Sequence, residues 1–477
     1  MINKELAAFI ESKCLFSVTD GQKEVIATLA DFLTAEGGAD KVCLLRGYAG
    51  TGKTSVLAAL VRAMKDLHRG VVLMAPTGRA AKVFSLKAGS PASTIHKRIY
   101  RQKAFDGSDT SFAQNVNLMK HALFVVDEAS MISGMYGNGG MFGTGCLLDD
   151  LMHFVYSGEG CRLLLSGDAA QLPPVGEELS PAMSADVLKG YGLRVWDVEL
   201  TQVVRQHDES GILWNATRLR RIITAAEYTG LPQIRIGGFP DVRRISGEEL
   251  IEALEACYYQ VGTDQTIVLT RSNKRANIYN NGIRARVLGR EEELTSGDRL
   301  LVVRNNYYKM EGQKCGNFDF VANGDVAVVC RYRRERSLYG FRFADVLLRF
   351  PDYDDCEMEM TVLLDTLQSE APALTREQND ALFHAVEEDY ADVTVKRERM
   401  KKIKNDPYFN ALQVKYAYAL TCHKAQGGQW QKVFVDQGYM TEDMLTPDYF
   451  RWLYTAFTRA TDTLYLVNWP EMQMEKA

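Results

Sequence analysis

Residues Gly47 to Thr54 read Gly-Tyr-Ala-Gly-Thr-Gly-Lys-Thr, the G-x-x-x-x-G-K-[ST] spacing of a loop that cradles a polyphosphate. Gly47, Gly50 and Gly52 allow backbone N–H groups to turn inward, and Thr51 and Ser55 share the same cradle. Lys53 has the reach to contact β- and γ-phosphates, and the Thr54 hydroxyl is a ligand for Mg²⁺. Four further positions suit cleavage of the phosphoanhydride. Asp127 and Glu128 close an apolar run: the first offers a carboxylate for the hydrated metal, the second a base that orients the attacking water. Gln171, in Ser166-Gly-Asp-Ala-Ala-Gln-Leu-Pro-Pro174, has an amide that can donate to a phosphate and accept from water at once. Arg205 is placed to bring positive charge to the transition state. The expected cofactors are therefore ATP and Mg²⁺.

These residues need rigid supports, and the sequence provides them. Lys41–Arg46 is an apolar run of strand length before the loop, and Ser55–Met64 has Ala and Leu at helical spacing after it. The new helix directs unpaired N–H groups and the positive end of its dipole at the phosphates. Further strand-like runs lie at Val71–Ala75, Ala122–Val126, Arg162–Ser166 and Val198–Leu200, separated by enough chain for crossover helices. That alternation predicts an α/β fold with a parallel sheet, whose chemistry collects at the carboxyl ends of its strands.

A chain of 477 residues is long enough for two or more large domains. The net charge of −5 argues against a surface that coats polyanions throughout, so a nucleic-acid site has to be a confined groove. Nine scattered cysteines without a C-x-x-C pair argue against zinc and against a disulfide framework, and fit the cytoplasm. The first ten residues mix acid and base, so neither a signal peptide nor a membrane span is expected.

Taken in order, these motifs resemble superfamily 1 helicases of the RecD-like, 5′-to-3′ branch. Phe16–Gln22 resembles that family's adenine-reading segment, with Gln22 at the base edge. Ala75–Lys82 and Ser93–Lys97 are similar to two DNA-contacting motifs, and Val125–Ser130 and Gly167–Val175 to the hydrolysis motifs. Ala419–Gly427 and Tyr454–Ala460 resemble the two motifs of a second motor domain. The resemblance implies a second γ-phosphate contact at Arg459. It also implies a DNA track of Thr77, Arg79, Lys82, Thr94, His96 and Lys97 on the first domain, continued by Thr421, His423 and Lys424 on the second. Such a track grips phosphates and reads no bases. Where the family often carries a Glu that meets the nucleotide sugar, this chain has Gly428-Gln-Trp430.

The architecture expected is two RecA-like P-loop domains with parallel sheets, a hairpin insert and a small SH3-type β-barrel insert. The first motor domain spans 1–206, with the hairpin at about 97–118. A helical connector follows at 207–262, then the second motor domain at 263–296 and 411–477. The barrel occupies 297–374, and a charged helical segment 375–410. Alternating runs and the Asn323-Gly324 turn signal support the barrel, and Tyr307, Tyr308 and Arg331–Arg334 mix aromatic and basic side chains as a strand-binding surface would. In the related helicases the hairpin wedges a duplex apart, which makes Phe105 and Phe112 candidates for stacking on the last base pair. The glycine-dense stretch 134–145 has no assigned chemistry. The expected partners are single-stranded DNA and single/double-strand junctions, with recombination or repair proteins; the expected state is a monomer. Two rivals stay open: an RNA helicase of the same superfamily, and a P-loop switch that moves along no strand.

Overall fold

Apolar five- to seven-residue runs can be buried on both faces only in a sheet covered on both sides, and the chain builds two of these. The structure, a computed structural model, describes residues 2–37, 40–102, 112–136, 143–202, 209–306 and 321–475. The first sheet is wholly parallel, in the order Ala92–Thr94, Val71–Ala75, Leu123–Val126, Arg162–Gly167, Lys41–Gly47 and Arg194–Leu200. The strand that feeds the phosphate loop is thus interior, next to the edge, between Arg162–Gly167 and Arg194–Leu200. It runs directly into the Lys53–Asp66 helix, whose Val56, Leu57, Leu60 and Val61 pack on the sheet.

The second sheet is also parallel, in the order Ala419–Thr421, Thr266–Thr270, Trp430–Asp436, Ala460–Val467 and Val242–Ile245. Its last strand corrects the helical connector expected at 207–262. That segment holds helices Gly211–Ala225 and Leu250–Val261, but between them Val242–Ile245 forms the sheet edge beside Ala460–Val467.

Arg299–Val302, Val326–Leu338, Phe341–Phe350, Cys356–Leu363 and Leu412–Tyr416 close a five-stranded barrel. The fifth strand lies outside the 297–374 segment expected to form the barrel: Leu412–Tyr416 pairs with both Arg299–Val302 and Cys356–Leu363. Helices Arg376–Asp389 and Lys396–Lys404 are therefore an excursion between the fourth and fifth barrel strands, packing Leu382, Val386 and Ile403 against Phe343 and Leu363. At the barrel's foot the fully buried Asp298 accepts from Arg284 (3.0 and 2.9 Å) and from Arg290 (2.7 Å), a paired arrangement that makes a buried carboxylate tolerable.

Tyr100–Gln102 pairs antiparallel with Phe112–Gln114, giving the base of the hairpin, while Phe105 lies outside the described residues. Arg205, Tyr307 and Tyr308 also lie outside them. Among the described residues seven cysteines are free, whereas Cys356 is disulfide-bonded, which the scattered spacing did not lead one to expect. Among the described residues no helix is long and apolar enough to cross a membrane.

Candidate functional site

The phosphate loop has the conformation its glycines permit. Gly50 and Gly52 take φ of +79° and +87°, in the left-handed region where a Cβ is strained, and Gly52 caps the Lys53–Asp66 helix. Thr51 is fully buried, and its Oγ1 donates to the Tyr48 carbonyl at 2.8 Å. Lys53 Nζ donates to the carbonyls of Gly47 and, at 3.0 Å, Tyr48, inside the turn that a triphosphate would enter. Ser55 is exposed on the first helical turn.

Gln22 sits differently from a residue reserved for a base. It closes a capping box, its Oε1 accepting from Thr19 N at 3.1 Å, while its Nε2 donates to the Thr51 carbonyl at 3.1 Å. Both ends of its amide are engaged by protein, and its evident structural work is to brace the phosphate loop.

Thr54 Oγ1 lies 3.3 Å from Asp127 Oδ2. The other Asp127 oxygen accepts from Ser166 Oγ at 2.9 Å and from Glu128 N at 3.1 Å, so the carboxylate is fixed from the opposite side. Glu128 follows with φ +56°, a left-handed conformation unusual for a residue with a Cβ and typical of side chains held in place for function. Burial pushes the Glu128 carboxyl up; Arg459 and Lys53 pull it down, and Asp127 and Asp168 push it up. One carboxylate thus feels a lysine from the first domain and an arginine from the second.

Arg459 is 3% exposed and held as a fork, donating to the carbonyls of Thr455 (3.0 Å) and Gly428 (3.1 Å) and to Thr458 Oγ1 (3.2 Å). Gln171 Oε1 is buried without a hydrogen-bond partner among the described residues, an acceptor that a bound water would satisfy. Sequence reasoning passed over the side chains that join the two domains here. Arg451 donates to the carbonyls of Ala169 and Gln171, Thr455 Oγ1 accepts from Leu172 N at 2.8 Å, and Gln426 Nε2 donates to the Leu172 carbonyl at 2.6 Å. Tyr454 OH accepts from Ala49 N at 2.9 Å and donates to Asp168 Oδ2 at 2.7 Å. The only sequence signal was their place in or beside the two C-terminal motifs.

The residues expected on the DNA track fall into two groups. On the first domain, Thr77 and Thr94 are helix N-caps, accepting from Ala80 N and Lys97 N at 3.2 Å, which leaves each hydroxyl hydrogen available. Arg79 stacks 4.0 Å from the Trp430 ring and donates to the Gln429 carbonyl, so it also joins the motor domains. Lys82 donates to the Pro351 carbonyl at 2.5 Å and pairs with Asp352 at 3.1 Å, both on the barrel. Beside it, Tyr353 OH donates to the buried Asp325 carboxylate (2.9 Å), which abuts Gly78 so closely that a Cβ there would meet Asp325 Oδ1 at 2.2 Å. Clefts of about 880 and 550 Å³ meet at Lys82, Leu86 and Asp352; the first is also lined by Thr94 and Lys97, the second by Arg79 and Arg299. His96 is a weak candidate for gripping phosphate through charge: burial lowers it to about 4, so it is neutral near pH 7.

On the second domain, burial lowers His423, and Lys424 drops to about 8 through burial and the neighbouring Lys415. Lys424 Nζ is buried without a hydrogen-bond partner among the described residues, an ammonium for which an anion is the natural complement. Thr421 is partly exposed where the Ala419–Thr421 strand ends.

A phosphate loop at the end of one parallel sheet, approached by a buried arginine from another, defines a two-domain P-loop ATPase. The AAA domain family model matches residues 17–226, and the UvrD-like helicase C-terminal domain model matches residues 416–467. The chain is 30% identical over 194 residues to the ATP-dependent RecD2 DNA helicase of Deinococcus radiodurans, and 33% identical over 90 residues to the ATP-dependent DNA helicase dda of Enterobacteria phage T4. Those alignments take in 40% and 18% of this chain, and 23% and 20% of the relatives. Protein R530 of Acanthamoeba polyphaga mimivirus is 22% identical over 503 residues, covering 89% of this chain and 94% of that protein. The crystal structure of Pif1 helicase from Bacteroides in complex with ADP-AlF3 and ssDNA aligns with a TM-score of 0.49 and 15% identity, over 97% of this chain and 95% of that one. The two family matches and the likeness to RecD2 and Dda relate this chain to superfamily 1 helicases of the 5′-to-3′ branch.

Proposed function

We propose that this chain is an ATP-driven motor that moves 5′ to 3′ along single-stranded DNA and unwinds duplex at a junction, in DNA repair or recombination. The observation that carries the reading is the set of bonds by which the segment of Arg459 reaches the first domain's catalytic loops: Tyr454 OH to Ala49 N and Asp168, and Thr455 Oγ1 to Leu172 N. Binding and cleaving one triphosphate there changes the gap between two domains that each grip a strand.

In this reading Lys53 holds the β- and γ-phosphates, Glu128 orients the attacking water, Gln171 senses the γ-phosphate, and Arg459, with Arg205, stabilises developing charge. Thr54 and Asp127 would hold Mg²⁺: hydroxyl and carboxylate oxygens side by side suit a hard cation that also keeps waters and phosphate oxygens. Mg²⁺ supplies charge neutralisation at the phosphates. The strand lies along Thr77, Lys82, Thr94 and Lys97, then Thr421, His423 and Lys424, with Phe105 and Phe112 at the duplex edge. DNA rather than RNA is favoured by the names of RecD2 and Dda. A cytoplasmic monomer that meets repair proteins on its substrate completes the proposal.

A strand-displacement assay tests it. A duplex with a 5′ single-stranded tail should be separated with ATP, one with only a 3′ tail should not, and matched RNA should compete weakly. Displacement from the 3′ tail alone would overturn the polarity, RNA preference would favour the RNA helicase, and ATPase indifferent to any strand would favour the switch.

A further inference from the structure

The Pro447–Phe457 helix packs the Tyr454 ring into the core around the second sheet and carries its hydroxyl to the first domain. Tyr454 is 1% exposed, and its oxygen has two partners on different pieces of the other domain. It accepts from Ala49 N, in the middle of the phosphate loop, at 2.9 Å. It donates to Asp168 Oδ2 at 2.7 Å, at the start of the loop that ends in Gln171. Asp168 is itself 1% exposed; its Oδ1 accepts from Ala170 N at 3.0 Å and its backbone carbonyl from Gln171 N at 3.2 Å. Burial raises the phenol well above its usual range, so it stays protonated and can donate. Arg459 follows five residues along the same segment, and Asp168 and Arg459 both act on Glu128.

We propose that Tyr454 is a positioning residue that couples the engagement of the second domain to hydrolysis in the first, by holding the phosphate loop at Ala49 and the Gln171 loop at Asp168 in one register with Arg459. This rests on the nucleic-acid-stimulated ATPase proposed above. Within the phosphate loop the phenol oxygen bonds Ala49 N and neither Lys53 nor Thr54, so turnover should depend on it more than nucleotide affinity does. What depends on it is the alignment of groups from both domains about the γ-phosphate, and misalignment of such groups lowers the rate more than the binding.

Tyr454→Phe removes the oxygen and keeps the ring, leaving Ala49 N–H and Asp168 Oδ2 each short of one partner. The test is steady-state ATPase with and without oligo(dT), for Tyr454→Phe, Asp168→Asn and the double variant. With DNA, Tyr454→Phe should lower kcat roughly tenfold or more, as the loss of its two buried hydrogen bonds from the aligned state implies, while KM for ATP moves less than about twofold. The double variant should fall by clearly less than the product of the two single effects, because both remove the Tyr454–Asp168 bond. Unchanged stimulated kcat in Tyr454→Phe, a change confined to KM, or multiplicative effects in the double variant would overturn the proposal. So would a loss of rate matching only the loss of folded protein, read from thermal melts in parallel. Wild-type protein separates the two readings: lack of stimulation by oligo(dT) there refutes the motor, whereas stimulation retained in Tyr454→Phe refutes the coupling alone.

Discussion

Asp352→Asn should tighten binding to single-stranded DNA. The reasoning starts from Lys82, a candidate phosphate contact whose ammonium lies 3.1 Å from Asp352 and 2.5 Å from the Pro351 carbonyl, where the barrel closes on the first domain. The side chains of the pair are 36% and 17% exposed, so solvent screens much of the attraction and the pair is worth about 1 kcal/mol at most. DNA that takes Lys82 has to displace Asp352 first, and removing that competitor should tighten binding by up to about fivefold. The substitution also leaves one more unopposed cation, so the slope of log Kd against log salt should steepen by about 0.7. Fluorescence anisotropy with a labelled oligo(dT) at four salt concentrations reads both quantities. Lys82→Ala is the opposite control and should bind more weakly than wild type. An Asp352→Asn protein that binds with wild-type affinity and slope would show that Lys82 has no part in holding the strand.

The neighbouring Asp325 makes a prediction about stability. Burial pushes its carboxyl up to about 7, above its unfolded value, so the folded state binds the extra proton between about pH 4 and 7, and stability falls as pH rises through that window. Asp325→Asn should therefore raise the melting temperature at pH 8 and change it little at pH 5, an effect on the order of 1–3 kcal/mol; equal shifts at both would contradict the assignment. Lys424, lowered to about 8, should bind phosphate only as the ammonium, so wild-type DNA affinity should fall as pH rises from 7 to 9. Lys424→Met should weaken binding at pH 7 by about tenfold and flatten that profile, and a variant with the wild-type profile removes Lys424 from the track. Glu128→Gln should retain ATP binding by filter retention yet lose hydrolysis by roughly a hundredfold or more; near-normal turnover would take Glu128 out of the chemistry.

The phosphate loop and the Asp127-Glu128 pair were legible because their geometry is local: glycines at fixed spacing impose the turn, and an apolar strand carries its chemistry at its end. The elements that the sequence concealed depend on distant partners. Val242-Arg-Arg-Ile245 has two arginines at its centre because it is an edge strand, and its polar faces hid its place beside Ala460–Val467. Leu412–Tyr416 completes the barrel only through pairing with residues more than a hundred positions earlier and others about fifty positions earlier. Composition revealed the basic character of Arg79 and Lys82 but not that Trp430 and Asp352 would engage them, since those partners arrive from other domains. The resemblance of Phe16–Gln22 pointed to a base contact at Gln22, while its capping box and its bond to Thr51 depend on the fold of the loop.

The central claim is that the two sheets share one triphosphate, and Arg459 tests it most directly. Single-turnover hydrolysis and equilibrium binding of a fluorescent ATP analogue should be measured on Arg459→Ala and Arg459→Lys, with folding checked by thermal melts. If Arg459 acts across the crevice, both folded variants bind nucleotide within about tenfold of wild type and hydrolyse it about a thousandfold more slowly or worse, because lysine keeps the charge without the fork. Hydrolysis at the wild-type rate by either folded variant would contradict a shared site.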